Sequence, residues 1–273
     1  MSSLLRHITA IQNVTLPGNR LPFRLGDEQV GWVLQDAADL LCAQKFGCHL
    51  ADGVMILPWA ENLPDLARAV AATGAFRWRG EAFDVCAEFD GKVLATIDRG
   101  ALPWFGIRAE GVHVNGIVRH RDGLHLWVAR RAADRLMDPG KLDHLFAGGI
   151  AAGMSAEETL LKEGAEEAGL SPDIIDRAVY AGSLRYVTQR AEGLRRDRIH
   201  CYDLMLPDGI APVATDGEVA AFELWPVDRV LHTLRDTDDF KFNVALVLID
   251  FMLRWRLLPA NEETQRLTEI FRK

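Results

Sequence analysis

Three glutamates in one short stretch, Glu163, Glu166 and Glu167, have the type and spacing to do chemistry. They follow the glycine-containing run that begins at Gly148-Gly149. Ser155 and Glu158 form a capping-box pair, so a helix is expected to begin at about Ala156. Gly169, with Pro172 just beyond it, supplies the stop. At 3.6 residues per turn the three carboxylates fall within an arc of roughly 100°. Leu161, Gly164, Ala165 and Ala168 form the opposite, small and apolar side, suited to pressing on a sheet. Like charges on adjacent turns repel one another unless a cation lies between them, and an all-oxygen set suits a hard divalent ion. The bland alternative is a solvated acidic helix.

Those carboxylates need a rigid scaffold, and the chain has the length to build one. At 273 residues it is expected to hold two units. Hydrophobic content of 49% and charged content of 26% are ordinary for a globular protein. A net charge of −8 argues against nucleic acid or an anionic membrane as the main partner. Cys42, Cys48, Cys86 and Cys201 show neither a CxxC pair nor zinc-ligand spacing, and reduced thiols in a cytoplasmic protein are expected. No stretch reaches transmembrane length, and residues 1–14 lack a continuous apolar core of the secretion type.

The division is expected near residues 99–106, a Gly/Pro-containing linker candidate. Residues 1–106 read as a small α+β unit of unknown role, with helices at 4–14, 34–44 and 63–73 and a hairpin over 83–97 turning at Asp90-Gly91. Residues 107–258 read as a mixed sheet with helices on both faces. This unit opens with a hairpin, 113–120 and 124–131, that turns at Arg121-Asp-Gly123. Strands at 178–187 and 198–205 and helices at 227–234 and 242–256 follow the glutamate helix, and 259–273 form a polar tail with a short helix.

The stretch from Gly148 to Leu170 resembles the Nudix box, G-x5-E-x7-R-E-U-x-E-E-x-G-U with U aliphatic. Gly148, Glu163, Glu166, Glu167, Gly169 and Leu170 stand at its defined positions. Met154, Lys162 and Gly164 replace its first glutamate, its arginine and an aliphatic residue. The wider pattern is similar to a two-domain branch of the Nudix hydrolases, related to the region that precedes the kinase in fungal thiamin pyrophosphokinases. It is carried by Trp127-Val-Ala-Arg-Arg131, Pro139-Gly-Lys-Leu-Asp143, Ala147-Gly-Gly149, Tyr202-Asp-Leu with Pro207, Asp216-Gly-Glu-Val219, Phe240-Lys-Phe-Asn243 and Leu246-Val-Leu-Ile-Asp-Phe251. The kinase region itself has no counterpart in this sequence.

The resemblance implies an α/β/α sandwich and metal-dependent hydrolysis of a diphosphate. Thiamin diphosphate or its oxidised analogues are the first substrate class, with the monophosphate as product. A nucleoside diphosphate derivative, or a degenerate module that only binds its ligand, are the alternatives. Glu163, Glu166, Glu167 and the Gly148 carbonyl are expected to hold Mg²⁺ or Mn²⁺. Glu163 or Glu218 would act as the base, although Glu218 also fits a surface turn. Arg130, Arg131, Lys141, Lys241 and Asn243 are candidates for substrate contact, and a regular strand requires Arg130 and Arg131 to point to opposite faces. The partner is a small diphosphate, and a homodimer is left open.

Overall fold

The computed structural model describes residues 3–207 and 209–272. Helix α1 (Leu5–Ile11) comes first. Its buried Leu4, Ile8 and Ile11 belong to a core made otherwise by the second half of the chain. His7 Nε2 lies 2.7 Å from the Leu234 carbonyl, and the Leu4 amide donates to Glu263 at 2.7 Å. The two ends of the sequence therefore share one apolar layer.

The first unit follows as β1 (Leu21–Leu25), β2 (Glu28–Val33), α2 (Gln35–Ala43), β3 (His49–Ala51), β4 (Val54–Leu57), α3 (Leu63–Ala72), β5 (Ala82–Cys86), β6 (Val93–Asp98) and α4 (Leu102–Phe105). The first four strands pair in the order β2-β1-β4-β3, and β5 with β6 forms a separate hairpin. The expected linker is a correction. Ala101, Leu102, Phe105 and Ile107 are buried in the core of this unit. Four apolar side chains within seven residues fill a core better than they tether two bodies.

The second unit runs through β7 (Arg108–His120), β8 (Gly123–Arg131), β9 (Leu142–Asp143), β10 (Phe146–Gly149), α5 (Ala156–Ala168), α6 (Pro172–Ile175), β11 (Val179–Arg190), β12 (Gly193–Met205), β13 (Val219–Pro226), α7 (Val227–Asp236), α8 (Phe242–Arg254) and α9 (Glu262–Phe271). The sheet order is β11-β12-β7-β8-β13, with β12 and β7 parallel and the remaining pairs antiparallel. This is the expected mixed sheet between helical layers. Alternation along β7 sends Val112 and Val114 toward α5, and His113 and Ile117 toward α8. The tail expected at 259–273 is anchored through α9, whose Leu267 is fully buried. Among the described residues no helix is long and apolar enough to cross a membrane, and the four cysteines are unpaired.

Two features position the glutamate helix. First, β7 is bonded by β8 over Gly116–His120 but by β10 over Gly111–Val114, so the sheet forks at mid-strand. Second, α5 has both predicted ends: the Ser155–Glu158 capping box is complete, and Gly169 caps the other end at φ 62°. Glycine is needed at Gly164, where an added Cβ would lie 2.7 Å from Ile175 Cδ1 and 2.9 Å from Phe146 Cζ. The helix thus sits closer to β10 than an aliphatic residue would allow. Gly164→Val is expected to lower unfolding free energy by about 1–3 kcal/mol through overpacking. Urea denaturation checks this, and an unchanged midpoint would refute the close approach.

Candidate active site

The site forms where α5 crosses the forked end of the sheet. A Cβ at Gly148 would fall inside the Glu163 side chain, so glycine lets that carboxylate lie directly over β10. One turn on, Glu167 is 8% exposed and accepts the Ala147 amide at 3.0 Å. Glu166 points outward and is exposed. Lys162 Nζ reaches both Glu163 and Glu166, at 2.9 and 3.0 Å, and screens their mutual repulsion. Its burial opposes the charge, but the two glutamates outweigh that and hold the ammonium above its ordinary pKa. The arginine of the box pattern is thus replaced by a cation that binds its own helix.

A second segment completes the carboxylate group. Val213 donates its amide to the Ala168 carbonyl at 2.9 Å, and the Thr215 hydroxyl donates to the Glu166 carbonyl. The turn after them brings Asp216 and Glu218 to α5, and one oxygen from each lies within 4.8 Å of the others and of Glu167. The Glu218 amide donates back to Asp216 at 2.8 Å, shaping the turn, and Glu218 also pairs with Arg135. Asp216 was not singled out from sequence. The signal was its place two residues before Glu218 in the Asp-Gly-Glu turn, which puts both side chains on one edge.

The residues present fit a divalent cation. Burial drives the Glu167 pKa up to about 8, and the neighbouring Asp143, Glu163 and Glu218 carboxylates add repulsion against the Ala147 hydrogen bond. Burial also raises Glu163, with Lys162 opposing. A cluster of oxygens that resists its own ionisation is suited to a hard cation.

Behind Glu167 lies a buried polar layer. Asp143 accepts from Arg131 at 2.9 Å and from Lys241 at 3.4 Å. Burial opposes its ionisation, but the two cations outweigh that and hold it well below the usual carboxylate range. Burial lowers Lys241, with Asp143 countering. Asn243 Nδ2 is 3.4 Å from His113 Nε2, and the rings of His113 and His144 meet edge-on at 5.0 Å. Asn243 Oδ1, His113 Nδ1 and His144 Nε2 are buried without a hydrogen-bond partner among the described residues. Burial depresses both imidazoles, His144 to about 4.

The structure therefore gathers Gly148, Glu163, Glu167 and Glu218, with Glu166 at the outer edge, and places Arg131, Lys241 and Asn243 in the layer behind. It does not bring Arg130 or Lys141 to the carboxylates. Arg130 donates to the Gly140 carbonyl at 3.2 Å, and Lys141 donates to the Asp238 carbonyl. Trp104 packs against Phe76 and Phe105, which is a core role.

Comparison with known proteins finds two family models in the chain. Residues 110–245 match the NUDIX domain, and residues 61–109 match the Domain of unknown function (DUF4743). The chain is 43% identical over 256 residues to Nudix hydrolase 20, chloroplastic, from Arabidopsis thaliana, covering 87% of this chain and 68% of that protein. It is 34% identical over 252 residues to Nudix hydrolase 24, chloroplastic, from the same plant, covering 88% of this chain and 69% of that protein. Among solved structures, DR0079 from Deinococcus radiodurans aligns at 22% identity with a TM-score of 0.47, over 62% of this chain and 97% of its own.

Two outcomes are expected from these electrostatics. Glu167→Gln keeps the acceptor for the Ala147 amide while removing a charge that burial disfavours. In the metal-free protein it should raise Tm at pH 8, and it should abolish the Tm gain on adding Mg²⁺; a wild-type response to Mg²⁺ would remove Glu167 from the site. The second concerns acid. His144 has a folded pKa of about 4 against 6.5 free, so the unfolded chain takes up the proton first. The neutral ring's contribution is complete above pH 6.5 and is lost as pH falls toward 4, on the order of 3 kcal/mol. Asp143, held low, is lost only further below. His144→Phe should make the stability profile shallower between pH 6.5 and 4, leaving the contribution of the likewise depressed His113, and an unaltered slope there would show that His144 does not contribute to it.

Proposed function

Because the chain belongs to the Nudix hydrolase family and is a pyrophosphohydrolase, we propose that it hydrolyses thiamin diphosphate or its oxidised analogues to the monophosphate with Mg²⁺ or Mn²⁺. The observation that carries the hydrolytic reading is the convergence of Glu163, Glu167, Asp216 and Glu218 from two separate segments beside Gly148. Glu163, Glu166, Glu167, Glu218 and the Gly148 carbonyl would hold a divalent ion, whose positive charge would offset the negative charge that the bridging oxygen gathers as its bond to phosphorus breaks.

The chain's own residues then orient and exclude. Glu163 is the base in this reading: it is fixed over Gly148 and burial raises its proton affinity, although Lys162 pairs with it as Arg135 pairs with Glu218. It takes the proton of the attacking water as the new P–O bond forms. The bridging P–O bond breaks, and its oxygen leaves with the electron pair. Catalysis of this kind rests on position and charge rather than on a covalent intermediate.

Support for the substrate class comes from the segment around Phe240-Lys-Phe-Asn243. Phe240 packs on Trp225 in the core and Phe242 lies beneath Arg190, so neither aromatic face is open. The polar members instead reach the buried layer. Asn243 Oδ1, His113 Nδ1 and His144 Nε2 offer unused acceptor or donor capacity beside Lys241 and Asp143. An unmatched buried polar atom costs about 1–3 kcal/mol, so a heterocycle with an exocyclic amine that reached this layer would relieve that cost.

A metal-supplemented hydrolysis panel tests this: thiamin diphosphate, its oxidised analogues, nucleoside diphosphate derivatives and coenzyme diphosphates. The highest kcat/KM is expected for the thiamin class, and preference for a nucleotide would replace that assignment. Glu166→Gln and Glu163→Gln should each lower kcat by on the order of a hundredfold. Lys241→Ala and Asn243→Ala should lower kcat/KM for the preferred substrate by about tenfold while metal affinity holds. Equal activity of both polar variants across the panel would place recognition elsewhere.

A further inference from the structure

The first unit does more than stand beside the site. Its β5–β6 hairpin holds the loop that leads into α5: the Ala152 amide donates to the Ala82 carbonyl at 2.8 Å, and the Gly153 amide donates to Asp84 Oδ2 at 2.9 Å. Phe83 covers Gly149, where an added Cβ would come within 2.6 Å of its ring. Arg99 follows directly. Its Cζ lies 3.8 Å from that same Cβ position, one residue from the glycine under Glu163. One edge of its guanidinium pairs with Glu81 at 2.8 Å, and about half of the side chain remains exposed.

Asp98 explains why the arginine-bearing loops lie here. This carboxylate is 3% exposed and accepts the amides of Arg79 and Gly100 on Oδ1, at 2.9 and 2.8 Å, and that of Gly80 on Oδ2, at 2.7 Å. It clamps the loop carrying Arg77 and Arg79 to the turn carrying Arg99. Across the site, Arg135 approaches from the loop after β8 and reaches Glu218. Burial first, and then the like charges of Arg99, Arg77 and Arg135, lower the Arg79 pKa, while Asp98 opposes. Arg99 in turn opposes the rise at Glu163. Arg99 of the first unit thus stands with Arg135 of the second at the rim of the carboxylate group, and Asp98 holds the loop of the exposed Arg79 beside Arg99, in a chain of net charge −8.

We propose that the first unit completes the active site: Arg79 and Arg99, presented by the loops that Asp98 clamps, form with Arg135 a subsite for the substrate's phosphates. Guanidinium forks suit phosphate oxygens bidentately, and a diphosphate carries more negative charge than one cation beside carboxylates can balance. The subsite rests on the pyrophosphohydrolase reading but not on the choice of organic group. It also gives a physical role to residues 61–109, where no catalytic motif is visible.

Calorimetric titration of the full chain with inorganic pyrophosphate in the presence of Ca²⁺ isolates phosphate binding from turnover. Arg99→Ala and Arg79→Ala should each weaken pyrophosphate at least tenfold, with Tm and Mn²⁺ affinity held at wild type. Arg99→Lys should recover part of the loss, and Arg229→Ala, on a distant helix, should have no effect. In steady-state assays the loss should fall mainly on KM. Wild-type pyrophosphate affinity in both alanine variants overturns the subsite, even if thiamin-type diphosphates prove to be the substrates. Weakened pyrophosphate binding in a protein that prefers other diphosphates supports the subsite while overturning the substrate assignment.

Discussion

Glu167 is the constraint to which the rest of the site answers. A buried carboxylate with one amide donor and three acidic neighbours lacks the compensation that burial of charge normally requires. The fold does not relieve it with a protein cation, since Lys162 lies on the outer side of the helix and Arg135 goes to Glu218. Lys241 is within electrostatic range but is committed to Asp143. A bound cation would stabilise the charged form, and otherwise the carboxyl meets the cost of burial by holding its proton up to about pH 8. Functional sites commonly retain such local conflicts.

That tension is held in place by close packing. Two glycines act on two faces of the same contact: Gly148 admits the Glu163 side chain over the strand, and Gly164 admits Phe146 and Ile175 under the helix. With both in place, α5 rests against β10, and its carboxylates meet the backbone of 147–148 directly. The polar layer behind serves as a rigid floor. Arg131 and Lys241 neutralise Asp143 within the protein, which keeps their charge from being spent on Glu167. A buried ion pair of this sort contributes more to arrangement than to net stability.

Much of this was legible in the sequence, for reasons that are local. The capping box, the stop at Gly169 and the carboxylate spacing depend on neighbours a few residues away, so α5 is found where the pattern places it. The Asp-Gly turns at 90–91 and 122–123 announced their hairpins in the same way. What could not be read depends on distance along the chain. The strands β1 to β4 are short and only partly alternating, and β13 breaks its alternation at a register shift opposite β8. Arg130 and Arg131 look alike in sequence, and the strand's facing decides that Arg131 turns inward to Asp143 while Arg130 faces out. Asp216 reaches Glu167 only because the loop before it is pinned to the end of α5.

The same distinction bears on the boundary between the units. Two glycines, a proline and a change of pattern at 99–106 suggest a tether, yet its apolar residues are core. Gly106 takes φ 58° and its carbonyl accepts from Arg196 of β12 at 3.1 Å. Upstream, Asp98 ties the adjoining turn to the loop of Arg79. The segment is therefore a stiff seam whose ends are fixed to both units. Rigidity there is what places Arg99 against Gly149 with a defined geometry, since a flexible joint would lose that positional advantage to entropy. Fusing the two units through a buried turn gives the loop before α5 a second wall, made from residues that the catalytic unit does not contain.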